Sequence, residues 1–353
     1  MNAGHSQRVS VVIPARNEEA NIARVLQSLT AQPEILEIIV VDDQSEDRTP
    51  ELLAELKTQI GCLQVIRLDS LPSGWLGKTH ALAEGARRAQ GEWLLFTDAD
   101  TQHLPGGLSE LLARAEREGA ELLSVSPGQE TPTWWEKAVI PLVYVELSRL
   151  FRFEDVSDPR SQVAAANGQY LLIRRDTYER VGGHAAVRSE ILDDVALARL
   201  VKGSGGKLVF LPGSRWVRTR MYRRFGELWR GWSKNLYLLY AKSTGGMAAR
   251  VASLWLLDAL PVPLFIAACV YALVGHGGTI AILVAAGLLV LALVRHASYA
   301  RTVSSIGFSP ALAWYLAPGA ALAGALLLSS MRAHVAKGSV EWKGRHYVTR
   351  GQA

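Results

Sequence analysis

The residues with the plainest chemical potential are Asp98 and Asp100, two carboxylates one residue apart, which close the apolar run Leu94-Leu95-Phe96-Thr97. Two such groups repel unless something cationic lies between them, and a hard divalent ion takes one or two carboxylates together with substrate phosphate oxygens. The spacing therefore fits a metal–diphosphate site; a solvated surface turn is the plain alternative. Further acidic pairs occur at Asp42-Asp43, after the apolar run Ile38-Ile39-Val40-Val41, and at Asp193-Asp194, at the start of a helical pattern. At the second of these a carboxylate also caps the helix, which does not exclude catalysis. One lysine stands out, in Gly74-Trp75-Leu76-Gly77-Lys78-Thr79. A P-loop needs glycine five residues before its second glycine, and that position is Pro72, so the P-loop reading fails. Lys78 at a helix start still meets a diphosphate through its own charge and the helix dipole.

The elements that must position these groups alternate in kind. Arg8–Pro14 reads as a strand, Glu34–Val41 as a second and Leu63–Leu68 as a third, with helical patterns to about Thr30 and over Glu51–Gln59 between them. Strand–helix–strand repeats with right-handed crossovers give a mostly parallel sheet, with every strand's carboxyl end on one edge. Ligands bind at that edge. Pro14–Asn17, Asp42-Asp43 and Asp98–Asp100 are expected to converge there. Further helices are expected over Thr79–Ala89 and Leu108–Glu118, a strand over Ala120–Val125, and, after the small residues Ala164–Gly168, a strand that brings backbone close to a ligand. Thr133–Phe153 is an aromatic-rich amphipathic helix suited either to a headgroup layer or to the domain core. Arg215–Asn235 mixes arginines with tryptophan and tyrosine and reads as a basic amphipathic segment ahead of a membrane region.

Composition divides the chain. Of 353 residues 49% are hydrophobic, and between Val251 and Ser330 the only formal charges are Asp258, Arg295 and Arg301. Three apolar stretches, Leu254–Gly275, Thr279–Val294 and Phe308–Met331, approach or exceed the roughly 20 residues that span a bilayer. The net charge of +5 is concentrated in Arg215–Lys234 and after Met331, without the long basic runs and stacking aromatics of a nucleic-acid binder. Two cysteines, Cys62 and Cys269, make no disulfide framework and fit a reducing compartment. The polar start Met1–Gln7 leads into the first strand without a signal peptide, so the expected location is the cytoplasmic membrane, multi-pass, with the catalytic domain in the cytoplasm.

In order and spacing, Val11-Val12-Ile13-Pro14-Ala15-Arg16-Asn17-Glu18-Glu19, Val40-Val41-Asp42-Asp43-Gln44-Ser45, Asp98-Ala99-Asp100 and Asp193-Asp194-Val195-Ala196-Leu197 resemble the family 2 glycosyltransferases. The resemblance covers about Val9 to Asn235. It implies an α/β GT-A domain over residues 1–235, an interfacial linker over 236–253, transmembrane helices over 254–331 and a basic tail over 332–353. The Gly74–Lys78 and Trp229–Asn235 segments are most similar to the branch that glycosylates isoprenoid lipids such as carotenoid acids, or that is associated with hopanoids.

The resemblance further implies an inverting transfer from a nucleotide-diphosphate sugar, UDP-linked in most such enzymes, to a membrane lipid. Asp43 would contact the base, Asp98 the ribose or metal, and Asp100 the bridging Mg2+ or Mn2+. Asp194 matches the catalytic base. Pro14, Ala15, Asn17, Glu18 and Lys78 join the donor site, with Arg220, Arg223 and Arg224 steadying the phosphates. Asp193 stands where the family often has glutamate. The segment Arg220-Met221-Tyr222-Arg223-Arg224-Phe225 lacks the Gln-x-x-Arg-Trp pattern of processive members, which weighs against a polysaccharide synthase. An inert membrane scaffold is the non-enzymatic alternative.

Topology poses a conflict. Three full spans put the tail with Arg332, Lys337, Lys343, Arg345 and Arg350 outside, although positive charge favours the inside. The expectation is therefore that the last apolar stretch does not cross once but turns back near Pro318-Gly319.

Overall fold

The structure is a computed structural model that describes residues 8–240, 243–275, 277–337, 339–342 and 345–348, with side chains as far as Val335. The polar start Met1–Gln7, Lys242, and the tail residues Lys343 and Arg350 lie outside the described residues. Two compact units are present, one of residues 1–130 and 151–221 and one of residues 131–150 and 222–353. Thus the segments 131–150 and 222–235, expected within the first domain, belong to the second unit.

The first unit is built on a seven-stranded sheet. Its strands are β1 (Val9–Ala15), β2 (Ile35–Asp42), β3 (Leu63–Arg67), β4 (Trp93–Phe96), β6 (Leu122–Ser126), β8 (Leu171–Arg174) and β9 (Leu208–Pro212), in the order β3-β2-β1-β4-β8-β6-β9. Only β8 runs antiparallel to its neighbours. A smaller sheet joins β5 (Thr101–His103), β10 (Val217–Thr219) and β7 (Gly128–Gln129) in the order β5-β10-β7.

Burial on both faces explains why the strands read as unbroken apolar runs. Val9, Val11 and Ile13 pack with Ile22, Val25, Leu26 and Leu29 of the helix Ile22–Thr30 on one side. Val12, Leu94 and Phe96 pack with Ala81 and Leu82 of the helix Gly77–Arg88 on the other. The polar exception in β1, Ser10, is fully buried, and its Oγ donates to Glu37 Oε1 at 2.7 Å, satisfying both groups. The chain steps from β1 to β2 to β3 in one direction and then enters β4 on the opposite side of β1. That reversal opens a crevice at the carboxyl ends of β1 and β4, the place where open α/β sheets bind ligands.

In the second unit, helices Trp134–Leu150 and Phe225–Leu239 accompany Thr244–Ser253, Pro261–Leu273, Gly278–Ser305 and Leu316–Arg332. The basic segment expected over Arg215–Asn235 is therefore not one element, since β10 belongs to the first unit and the helix Phe225–Leu239 to the second. Among the described residues two helical stretches, Gly278–Ser305 and Pro310–Val335, are long and apolar enough to cross a membrane. A third candidate, Thr244–Ala259 with Pro261–Leu273, bends by 42° where Pro261 cannot donate to the preceding turn. The expected reversal near Pro318-Gly319 does not occur. Pro318 falls in the first turn of Leu316–Arg332, where its missing N–H costs nothing, and the helix continues through Gly319.

Inside this unit Glu146 is buried and accepts from Arg250 Nε at 2.8 Å, from Arg250 Nη2, and from the Tyr240 hydroxyl at 2.8 Å. Removing one partner of a buried pair leaves the other charge uncompensated. Glu146→Ala is expected to destabilise the unit by about 3 kcal/mol, whereas Arg149→Ala, on an exposed side chain, costs under about 1 kcal/mol. Thermal unfolding in detergent of both variants and of Glu146→Leu/Arg250→Met checks this; the double variant is expected to recover most of the loss.

Candidate active site

The crevice is lined by loops that are tied to one another through backbone atoms. Register pairs Ala15 with Asp42, and Asp43 N donates to Ala15 O at 2.8 Å. Past the strands the two chains stay zipped together. Asn17 N donates to Ser45 Oγ at 3.0 Å, Glu46 N to Asn17 Oδ1 at 2.8 Å, and Glu18 N to Thr49 Oγ1 at 2.8 Å. Arg16 reaches across with its guanidinium to Asp43 O at 2.8 Å and Gln44 O at 3.1 Å. Asn17 and Gln44 both hold positive φ, 55° and 58°, a conformation a non-glycine residue keeps only where its surroundings fix it. These bonds set Pro14, Ala15, Asn17 and the buried Asp43 around one edge of the crevice. Glu18 Oε2 accepts from Asn21 Nδ2 at 2.8 Å, at the entrance to the helix Ile22–Thr30.

A second thread fixes the Asp98–Asp100 loop. Buried Thr97 donates its hydroxyl to Gln169 O at 2.7 Å, and Gln169 Nε2 donates to Thr219 Oγ1 at 3.2 Å. Thr219 in turn donates to Asp100 O at 3.1 Å, and Thr101 Oγ1 to Asp98 O at 2.8 Å. Nearby His103 is pushed down to about 3 by burial and is a neutral packing group. Both aspartates thus project from backbone held on several sides.

Lys78 is the charge centre of the site. Its Nζ lies 2.8 Å from Asp98 Oδ1. Burial alone would depress its pKa, but Asp98, Asp193 and Asp194 together raise it above the ordinary lysine value. The lysine is held in place by its own loop, because Leu76 N and Thr79 Oγ1 both donate to Arg188 O, at 2.9 and 2.7 Å. Asp194 opens the helix Asp193–Gly203 and accepts from Gly168 N at 2.8 Å and Val195 N at 2.8 Å. Burial raises its pKa above the usual carboxylate range, and Lys78 opposes that rise. A Cβ on Gly168 would stand 2.9 Å from Lys78 Nζ and 3.5 Å from Asp194 Oδ2, so a side chain there would displace the ammonium.

Asp193 is buried beside His184, whose Nε2 lies 3.8 Å from Asp193 Oδ2. Burial, with the Lys78 charge, pushes His184 down to about 3, so this contact is with a neutral imidazole and is no ion pair. Its other nitrogen, Nδ1, lies 2.9 Å from the Tyr178 hydroxyl.

The site therefore brings together Lys78, Asp98 and Asp194 by contact and charge, and ties Asp43 and Asp100 to them through the sheet edge. Arg220 follows Thr219 in the first unit and acts electrostatically on Glu130. Arg223 and Arg224 belong to the second unit, where their backbone N–H groups donate to Glu227 Oε2 at 3.0 and 3.2 Å and their side chains are exposed. Thr97, Thr219 and His184 carry no motif; Arg16 stands within the Val11–Glu19 run but without an expected role, and the Gly168–Gln169 turn had a signal, the run of small residues before it.

Asp98 and Asp100 offer hard oxygen donors on fixed backbone. Among the described residues no three His, Cys, Asp or Glu side chains gather to hold an ion alone. An ion here would complete its shell with water and substrate oxygens, as Mg2+-type ions do, and the donor set fits that role.

Residues 10–182 match the family model described as Glycosyl transferase family 2. This chain carries a family 2 glycosyltransferase domain. The 4,4'-diaponeurosporenoate glycosyltransferase of Staphylococcus aureus (strain USA300) is 29% identical to it over 268 residues, covering 74% of this chain and 68% of that protein. The enzyme of the same name from Staphylococcus haemolyticus (strain JCSC1435) is 28% identical, covering 72% and 68%. Among solved structures, the mannosyltransferase PcManGT from Pyrobaculum calidifontis in complex with GDP-Man and Mn2+ aligns with a TM-score of 0.53 at 20% identity, over 94% of this chain and 87% of that one. The shared architecture is the GT-A fold, and the protein is a glycosyltransferase.

Replacing Lys78 by methionine removes the ammonium that compensates Asp98, Asp193 and Asp194. Asp194 already titrates above its unfolded value, so its ionisation costs stability as pH rises through the folded pKa, and loss of Lys78 enlarges that cost. The stability difference between wild type and Lys78→Met is expected to widen as pH rises from the ordinary carboxylate range to neutrality. Chemical denaturation across that range measures it.

Proposed function

We propose that this glycosyltransferase is an inverting enzyme that moves a sugar from a nucleoside-diphosphate donor, UDP-linked, to a hydroxyl or carboxylate of a membrane lipid, an isoprenoid such as a carotenoid or hopanoid being the favoured class. The observation that carries the proposal is the gathering of Lys78, Asp98 and Asp194 at the carboxyl edge of β4, with Gly168 N bonded to Asp194. In this account the nucleotide lies along the Pro14–Glu18 and Asp43 edge, and its diphosphate meets the Asp98–Asp100 loop. Lys78 donates to a phosphate oxygen, and Arg220 supplies further positive charge to the leaving group.

Asp194 takes the proton from the acceptor as the acceptor oxygen attacks the anomeric carbon opposite the diphosphate. Two fixed backbone donors aim its carboxylate, and its raised pKa improves it as a proton acceptor. A divalent ion, Mg2+ or Mn2+, held by Asp100 with Asp98 beside it, would neutralise charge on the departing diphosphate. The names of the carotenoid-related relatives support the lipid acceptor, and the two membrane-length helices support a membrane location. The first unit is proposed to face the cytoplasm, where nucleotide sugars are made, with the chain attached to the inner membrane by more than one crossing.

Asp194→Asn and Asp100→Asn are each expected to lower sugar transfer by at least 100-fold, the lower end of what a positioned base contributes. The measurement uses membranes containing each variant, labelled nucleotide sugars and candidate lipids, with mass spectrometry of the lipid extract. A single added sugar is expected, against the ladder a processive enzyme leaves. Wild-type rates in either variant overturn the role given to that residue.

A further inference from the structure

The two membrane-length helices of the second unit differ in what surrounds them. Only 17% of the apolar window of Gly278–Ser305 is buried inside the protein, so nearly its whole circumference is free to face lipid. For Pro310–Val335 the share is 50%. What covers it is polar in part. At its beginning the Lys137 ammonium stands 5.9 Å from the Tyr315 ring centre, and a Cβ on Gly319 would come 2.3 Å from Ala138 O, so the helix Trp134–Leu150 presses directly against it. Toward its end the partner is Phe225–Leu239. Trp229 Nε1 donates to Ser329 Oγ at 3.1 Å, Tyr237 N donates to Ser330 Oγ at 2.9 Å, and His334 Nε2 lies 2.8 Å from Lys234 O.

Those two covering helices carry charges within their length, Glu146 and Arg149 in one and Glu227, Arg230 and Lys234 in the other. Charged side chains in mid-bilayer cost several kcal/mol each unless paired inside the protein, as Asp258 and Arg295 are at 2.7 Å; the exposed Arg149 and Arg230 therefore keep these two helices out of hydrocarbon. A helix packed against both stays near their depth where they touch, and along its middle it also meets the bent pair, Trp255 Nε1 donating to Ala321 O at 3.3 Å. Their outer residues suit a headgroup layer, with Trp134 and Trp314 59% and 84% exposed and Arg223 and Arg230 also exposed, since amphipathic aromatics and cations concentrate there.

We infer that Leu316–Arg332 does not cross the bilayer but lies in its interfacial plane together with Trp134–Leu150 and Phe225–Leu239, forming one lipid-facing surface for anionic headgroups. The bilayer is then crossed twice, by the bent pair Thr244–Ala259 and Pro261–Leu273 and by Gly278–Ser305. The basic tail returns to the side from which the chain enters. The conflict between three spans and a positive tail disappears without any reversal of the last helix. This inference rests on the membrane location proposed above.

Two measurements test it in the full-length chain with Cys62 and Cys269 replaced by serine. In the first, single cysteines at Gly245, Thr279 and Ser339 are labelled with an impermeant maleimide in intact and in permeabilised cells. Gly245→Cys and Ser339→Cys are expected to react under the same condition and Thr279→Cys under the other. Labelling of Ser339→Cys together with Thr279→Cys overturns the inference, and labelling of all three together overturns both it and the membrane crossing. In the second, nitroxides replace the exposed Trp314 and Ala321 and the half-buried Leu328 in liposomes containing phosphatidylglycerol, and power saturation reports depth. An in-plane helix gives three similar, shallow depths. A crossing helix spreads the outer two over about 21 Å, at roughly 1.5 Å per residue, with Ala321 deepest, and that result overturns the inference.

Discussion

Three carboxylates sharing one ammonium is the constraint on which the first unit's functional edge depends. Asp98, Asp193 and Asp194 come from two separate segments of chain, and Lys78 from a third. Like charges brought this close are tolerated only with a cation among them, and a buried cation only with anions around it. Each partner is therefore the condition for the others. A substrate bearing a diphosphate and a divalent ion brings both kinds of charge at once, and so can enter this arrangement by exchange of partners while leaving no charge uncompensated.

The remainder of the edge holds that cluster still. Between the Pro14–Glu19 turn and the Asp42–Thr49 turn almost every backbone donor finds a specific acceptor, which allows Asn17 and Gln44 their unusual backbone angles. The chain Thr97–Gln169–Thr219–Asp100 links the end of β4, the turn before β8 and β10 through side-chain donors that reach two backbone carbonyls and one hydroxyl. These bonds fix the backbone that carries the carboxylates and so set where they point.

Much of this was legible in the residue order. Apolar runs ending in acidic pairs gave the strands of the parallel half of the sheet and the edge at which the site lies, because a strand buried on both faces has no other way to end. The antiparallel β8 was legible as a strand but not in its direction, which depends on long-range pairing. The partnership of Lys78 with Asp98 was not legible, because residues 20 apart in sequence meet only through the crossover that returns the chain to β4. Arg16, Thr97 and His184 looked ordinary, since their importance lies in whom they touch. Hydropathy gave the apolar helices but not their surroundings, and the expectation of a reversal at Pro318-Gly319, drawn from the positive charge of the tail, met a continuous helix. Similarly, Arg223 and Arg224 read as neighbours of Arg220, whereas the division between units falls between them.

The helix that carries Lys78 is seated on the sheet without clearance. Gly85, two turns further along, lies so close that a Cβ would come 2.4 Å from Val12 Cγ1 and 3.1 Å from Val41 Cγ2. A helix in that position cannot slide or tilt without lifting away from β1 and β2, so the ammonium moves only by rotation about its own side-chain bonds. In the proposed mechanism the passage of the lysine from Asp98 to a donor phosphate is thus a side-chain event that leaves the helix where it is.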